Sequence, residues 1–242
     1  MHTYRMNRIL LSLLCIVCIA SIAIALSGKK QTNTIQQDTT RNKIDDAGIP
    51  TVRFEGKAGT HEIKRSTHDR PLEESPAVTE ITESDSWLER VPALPVELSD
   101  AVIKGTVTES QAQLSAEKTA VYSEYSVTID AVLTTTSNTS LTPGMAVTLI
   151  REGGRVQFAS GHTQTYRMSG QGFPKLNHQY VFFIKQNTDT KDFLLLTGYQ
   201  LKNRKVIPLD DLPSHAVYKD VSDTEFFSTV QQAINLRKGA NQ

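Results

Sequence analysis

Ser115 and Lys118 stand three residues apart in Ser-Ala-Glu-Lys, a spacing at which a lysine one helical turn away can deprotonate a serine for nucleophilic attack. Enzymes that use this pair carry companion motifs, Ser-Asp-Asn and Lys-Thr-Gly, and neither is present. The pair also falls in a polar stretch between two strand-like segments, so coincidence is the better reading. No Gly-x-Ser-x-Gly occurs. His61, His68, His162, His178 and His215 are scattered without His-Glu-x-x-His or another short metal spacing. Asp210 and Asp211 have the charge to bind a cation, but adjacent side chains on an extended chain point to opposite faces. A surface turn is the ordinary reading of that pair.

The stretch 159–175, ASGHTQTYRMSGQGFPK, collects Gly161, Gly170 and Gly172 with His162, Tyr166, Arg167 and Lys175. Glycine lets backbone approach a ligand closely, and loops often carry a scaffold's binding site. With Arg151 and Arg155 upstream, these residues would make a basic surface for an anionic glycan or a phosphate. The ordinary reading is a pair of turns with solvated charges. No catalytic, cofactor-binding or metal-ligating residue is assigned on this pattern, and no cofactor is expected.

The elements that would position these residues are strands. Between residues 99 and 213 the hydrophobic period is two. Ala101, Ile103, Gly105 and Val107 alternate with Lys104, Thr106 and Thr108, and Val121 to Leu133 continues the same alternation. Thr142-Pro143-Gly144 marks a turn before a strand from Ala146 to Ile150. Val156 to Phe158 and Thr163 to Met168 are shorter candidates. Tyr180 to Lys185 and Phe193 to Tyr199 are apolar on both faces, which suits central strands or a closed barrel. Asn203-Arg204 turns the chain into Lys205 to Leu209. The expected fold is mainly β, a small barrel or sandwich of about eight strands. Residues 214–242 close it with a helix: Ser222-x-x-Glu225 is a capping box, and Phe226, Val230, Ala233, Ile234 and Arg237 share one face.

Ahead of this domain, residues 87–98 hold the sole tryptophan, Trp87, with two prolines that favour extended chain. They are expected to pack onto the domain as a lead-in arm. Residues 28–86 lack hydrophobic periodicity and are rich in polar residues, so they read as a disordered linker. As a flexible coil it would span roughly 45 Å root-mean-square. Residues 1–27 contain the uncharged run Ile9 to Leu26, which as a helix spans about 27 Å, close to a bilayer's hydrocarbon thickness. Arg5 and Arg8 before it favour a cytoplasmic N-terminus. Two readings fit this run: an uncleaved transmembrane anchor, or a signal peptide cut after Ala23-Ile24-Ala25. The anchor gives a single-pass membrane protein with its β domain outside; the signal peptide gives a secreted or periplasmic one.

The chain's 242 residues carry 26 basic and 26 acidic side chains, with no basic excess of the kind that marks nucleic-acid binders. Both cysteines, Cys15 and Cys18, lie inside the apolar run, so the rest forms neither a disulfide nor a cysteine-based zinc site. The stretches PALPVELSDAVIKGTV, YSEYSVTIDAVL, LTPGMAVTLIREGGRVQF, YVFFIK and LTGYQLKNRKVIPLDD resemble a family of exported bacterial proteins with a small β domain. The resemblance covers roughly Leu94 to Ile234. Its strand pattern is similar in outline to oligonucleotide/oligosaccharide-binding-type barrels and to netrin/tissue-inhibitor-like variants. It implies a bacterial, extracytoplasmic setting and supplies no catalytic residues.

The expected function is therefore a binding or interaction module, held to a membrane through residues 9–26 and facing an envelope protein or glycan. Nucleic acid is not an expected partner. The alternative is an envelope hydrolase with a divergent site, which needs His162 or His178 within hydrogen-bond reach of Ser, Asp or Glu in a pocket. An inhibitor of envelope proteases is a third idea, resting on barrel analogy alone.

Overall fold

The computed structural model describes residues 48–59, 71–84 and 87–240. The apolar run 9–26 lies outside them, as does much of the stretch 28–86. No helix among the described residues is long and apolar enough to cross a membrane. The chain is mainly β, with one long helix, α1 (Asp223–Ala240), at its C-terminal end. Eight strands fall in the region where the two-residue alternation predicts them: β3 (Ala101–Leu114), β4 (Val121–Thr135), β5 (Ala146–Glu152), β6 (Gly154–Gln157), β7 (Thr163–Met168), β8 (Gln179–Gln186), β9 (Phe193–Lys202) and β10 (Lys205–Pro208). Asn203 and Arg204, at φ 52° and 60°, form the tight turn between β9 and β10. Positive φ at both central residues is what a two-residue hairpin of the right twist requires.

A sandwich and a barrel differ in whether the sheet's ends meet, and here they do. β4 pairs antiparallel with β3 and β5, and β8 pairs antiparallel with β3 and β9. The ring closes where β9 runs parallel to β5, with Leu149 opposite Phe193 and Ile150 opposite Leu194. The order around the ring is β3-β4-β5-β9-β8, with β10 added outside β9. Closure explains the two strands that are apolar on both faces. Tyr180, Phe182 and Ile184 of β8 point into the barrel with Val127 and Leu149. Val181 and Phe183 point outward, against Phe226, Val230 and Ile234 of α1.

Helix α1 starts as its capping box predicts: the Glu225 amide donates to Ser222 Oγ at 3.2 Å. Burying Phe226, Val230 and Ile234 contributes roughly 1.5–3 kcal/mol each. Arg237, on the same face, donates to the carbonyls of Val96 and Ser99 at 2.8 and 2.9 Å. The helix therefore clamps both the barrel's flank and the arm. Within the arm, Leu88, Val91 and Val96 are buried. Leu88–Arg90 is a 3-10 turn where the prolines predict extended chain. The first proline, Pro92, comes after that turn and so does not oppose it.

Two pieces of the stretch read as disordered linker are strands: β1 (Thr51–Arg53) and β2 (Glu80–Glu83). They flank the β6–β7 hairpin, β1 parallel to β6 and β2 parallel to β7, in a second sheet of order β1-β6-β7-β2. Each carries one apolar residue that packs inward, Val52 or Ile81, beside Leu72 and Val156. That cluster rests on Ala112, Leu114 and Val121, where the β3–β4 ribbon runs on past the barrel. Strands this short carry no periodic signal, because their partners rather than their own pattern make them strands.

Candidate functional site

The only fully buried ion pair among the described residues sits at one end of the barrel. Val147, Leu149 and Arg151 share the inward parity of β5, so the alternation that fills the core also drives the Arg151 guanidinium inside. Its Nη2 pairs with Asp210 Oδ1, and the two side chains are 3% and 0% exposed. A buried carboxylate is tolerated only with donors around it. Asp210 Oδ1 also accepts the Gly172 amide at 3.0 Å, and Oδ2 accepts the Thr197 hydroxyl at 2.7 Å. His215 extends the network, with Nδ1 3.5 Å from Thr197 Oγ1 and the ring wholly buried. Burial holds the His215 imidazole below its ordinary pKa, against an opposing pull from the Asp210 charge. The backbone of Val91 and Pro92 also favours the charged ring, and Arg151 disfavours it.

The satisfaction of this network is uneven. Arg151 Nε and Nη1, His215 Nε2 and Tyr125 Oη are buried without a hydrogen-bond partner among the described residues. Burial also raises the Tyr125 hydroxyl above the usual phenol range, against the pull of nearby Ser123 and Arg151. Asp210 is thus the hub, and Arg151 depends on it more than it depends on Arg151.

Beside the network lies an open cleft of about 560 Å³, lined by Glu89 of the arm, Ser169 and Gly170 after β7, and the segment 211–214. Asp210 and His215 bracket that last segment, so the network fixes one wall of the cleft. The Asp211 amide donates to the Gly170 carbonyl at 2.8 Å and ties the two walls together. Asp, Thr and His are residue types that do acid–base work, but none of the three lines the cleft and all are shut off from solvent. Their arrangement positions the wall; it does not present a reacting group to a ligand.

The residues singled out by sequence fare differently. Ser115 Oγ caps its own turn, accepting the amides of Thr119 and Ala120 at 3.1 and 3.0 Å. Lys118 reaches away, donating to the Phe54 carbonyl at 2.9 Å with its ammonium over the Phe54 ring. Ser115 and Lys118 are not a catalytic pair. His162 Nε2 meets the Val78 carbonyl at 2.9 Å and His178 Nδ1 meets the Leu176 carbonyl at 2.9 Å. Among the described residues neither ring hydrogen-bonds a Ser, Asp or Glu side chain, so the hydrolase built on them has no support. No group of three or more His, Cys, Asp and Glu among the described residues could hold a metal ion.

The basic surface expected around 159–175 does not assemble. Arg151 is buried in its pair, Arg167 pairs with Glu80 at 2.6 Å, and Arg155 is half-buried with Nε on Thr165 Oγ1 at 3.1 Å. Asp210 is no surface residue: β10 ends two residues before it, and its side chain turns into the protein while Asp211 faces out. His215 and Thr197 were missed by sequence reasoning. Thr197 had a visible signal, the only aliphatic hydroxyl in Phe-Leu-Leu-Leu-Thr-Gly-Tyr. His215 had none.

A second surface is defined by what covers the barrel and what does not. Helix α1 packs over the outer faces of β8 and β9. On β4 and β5 the outward residues Glu124, Ser126, Thr128, Asp130 and Thr148 are exposed or half-exposed. Asp130 Oδ2 accepts Thr106 Oγ1 at 3.1 Å and Gln179 Nε2 at 2.8 Å, and Glu124 accepts Gln111 Nε2 at 2.5 Å. These outward residues form a lattice of hydroxyls and carboxylates, with no cation or aromatic ring among them.

No model of a known protein family matches the chain, and no curated protein matches it.

Proposed function

We propose that the β domain is a non-enzymatic binding module of the oligonucleotide/oligosaccharide-binding type, working outside a membrane to which residues 9–26 attach it. The observation that carries this reading is the ring order β3-β4-β5-β9-β8 with a parallel β5–β9 closure and one bare flank. In barrels of that type the ligand lies across the second and third strands and the neighbouring loops. Here those strands are β4 and β5, whose outward residues are Glu124, Ser126, Thr128, Asp130 and Thr148. Nucleic acid needs cations for its phosphates and rings for its bases, and these residues offer neither. Hydroxyls and carboxylates suit a partner rich in hydroxyl and ammonium donors, an envelope glycan or a basic protein segment.

The test is site-specific photo-crosslinking in intact envelopes from position 128, with a control probe at Gln232 on the helix. An adduct is expected from 128 only, and it should be lost in a Ser126→Arg/Thr148→Arg variant. Equal labelling from both positions, or an adduct unaffected by the two arginines, would count against the flank.

A further inference from the structure

We propose that His215 is an acid-sensitive latch that holds the arm 87–98 against the barrel and with it the Glu89 wall of the cleft. The ring stands where four elements meet. The arm brings the backbone of Val91 and Pro92 to it, and β9 brings Thr197, at 3.5 Å, and the Tyr199 ring, at 6.0 Å between centroids. The segment after β10 brings Asp210, and β5 brings Arg151, whose charge is already shared with Asp210. Next along the chain is the 3-10 turn Ala216–Tyr218, whose Tyr218 ring packs edge-on against Tyr199. The ring is wholly buried, and its Nε2 finds no hydrogen-bond partner among the described residues.

The arm has few other polar ties to the barrel. Tyr199 Oη donates to the Ala93 carbonyl at 2.5 Å, and Arg237 holds Val96. Docking covers the imidazole, and undocking the arm hydrates it while exposing Leu88, Val91 and Val96. The docked state favours the neutral ring, because burial outweighs the attraction of Asp210. Below the ordinary imidazole value of about 6.5, the undocked arm gains a proton that the docked arm refuses. For one proton, the undocking equilibrium then rises up to about tenfold per pH unit, and levels off once the docked-state value is passed. A protein on the outer side of a membrane meets such pH changes directly, and the cleft would open with them.

Hydrogen exchange of the full chain between pH 8 and pH 5, corrected for the intrinsic pH dependence of exchange, tests this. The amides of Val91 and Val96 should lose protection below about pH 6.5, by up to about tenfold per pH unit, while those of Phe182 and Ile184 in β8 should not. His215→Asn should flatten the arm's pH response. Arm protection independent of pH, or arm and β8 amides changing in step, overturns the latch. Should the variant fail to fold, the imidazole C2-proton titration of the wild type decides: a His215 midpoint below the ordinary value of about 6.5 supports the latch, and one at or above it overturns it.

Discussion

Replacing Asp210 by Asn should destabilise the protein more than replacing its partner Arg151 by Met. Asp210 accepts three hydrogen bonds, from Arg151, from the Gly172 amide and from the Thr197 hydroxyl. Arg151 has Asp210 and, among the described residues, nothing for its Nε and Nη1. Asp210→Asn leaves a buried guanidinium with no counter-charge and sets an amide where its acceptor was. Breaking a buried pair in this way costs about 3–5 kcal/mol. Arg151→Met leaves a carboxylate that keeps two donors and fills the vacated space with a flexible apolar chain, so about 1–3 kcal/mol is expected. The double variant removes both charges and should cost about 2 kcal/mol less than the sum of the singles. Against a total stability of about 5–15 kcal/mol these differences are large. Urea unfolding followed by far-ultraviolet circular dichroism and by the fluorescence of Trp87 measures all three. Arg151→Met as costly as Asp210→Asn, or a strictly additive double variant, would refute the hub assignment.

Other outcomes follow from the same packing. Phe226→Ala should cost about 3–5 kcal/mol, because the ring is wholly buried between α1 and the sheet; chemical denaturation reads it. Gly172→Ala should cost about 3 kcal/mol or more by the same measurement, since a Cβ there would stand 1.8 Å from the Leu209 carbonyl oxygen and backbone must move. At alkaline pH, Tyr125, Tyr180 and Tyr199 retain their protons in the fold past the ordinary value of 10, with Tyr180 pushed up to about 12 by burial. Their raised values stabilise the fold below pH 10, and that stability is lost as pH rises, at up to about 1.4 kcal/mol per pH unit for each tyrosine. Unfolding curves at pH 9, 10 and 11 check the slope, and Tyr199→Phe should reduce it.

The strands were legible because most alternate and the central pair does not, while barrel and sandwich stayed open because closure rests on the β5–β9 and β8–β9 pairings. Tyr180 to Lys185 had to be buried on both faces, and closure plus α1 supply the two covers. The capping box at Ser222 and the turn at Asn203-Arg204 are local chemistry, and local chemistry shows in sequence. β1 and β2 were not legible, since three or four residues with one inward side chain carry no period and exist by pairing with β6 and β7. The buried network was not legible for a related reason. Arg151 and Thr197 come from two strands, β5 and β9, and Asp210 and His215 from the segment after β10, so their meeting depends on how the ring closes. A charged residue on a core parity, as Arg151 is on β5, was one hint, and it was read as surface charge.

The proposal that the bare β4–β5 flank is the binding surface is tested most directly by the photo-crosslink from position 128 in intact envelopes. An adduct should form there, be abolished by arginines at 126 and 148, and be absent from Gln232 on α1. Adducts only from the helix face, or none from the flank under conditions where the control probe is shown to react, would contradict it.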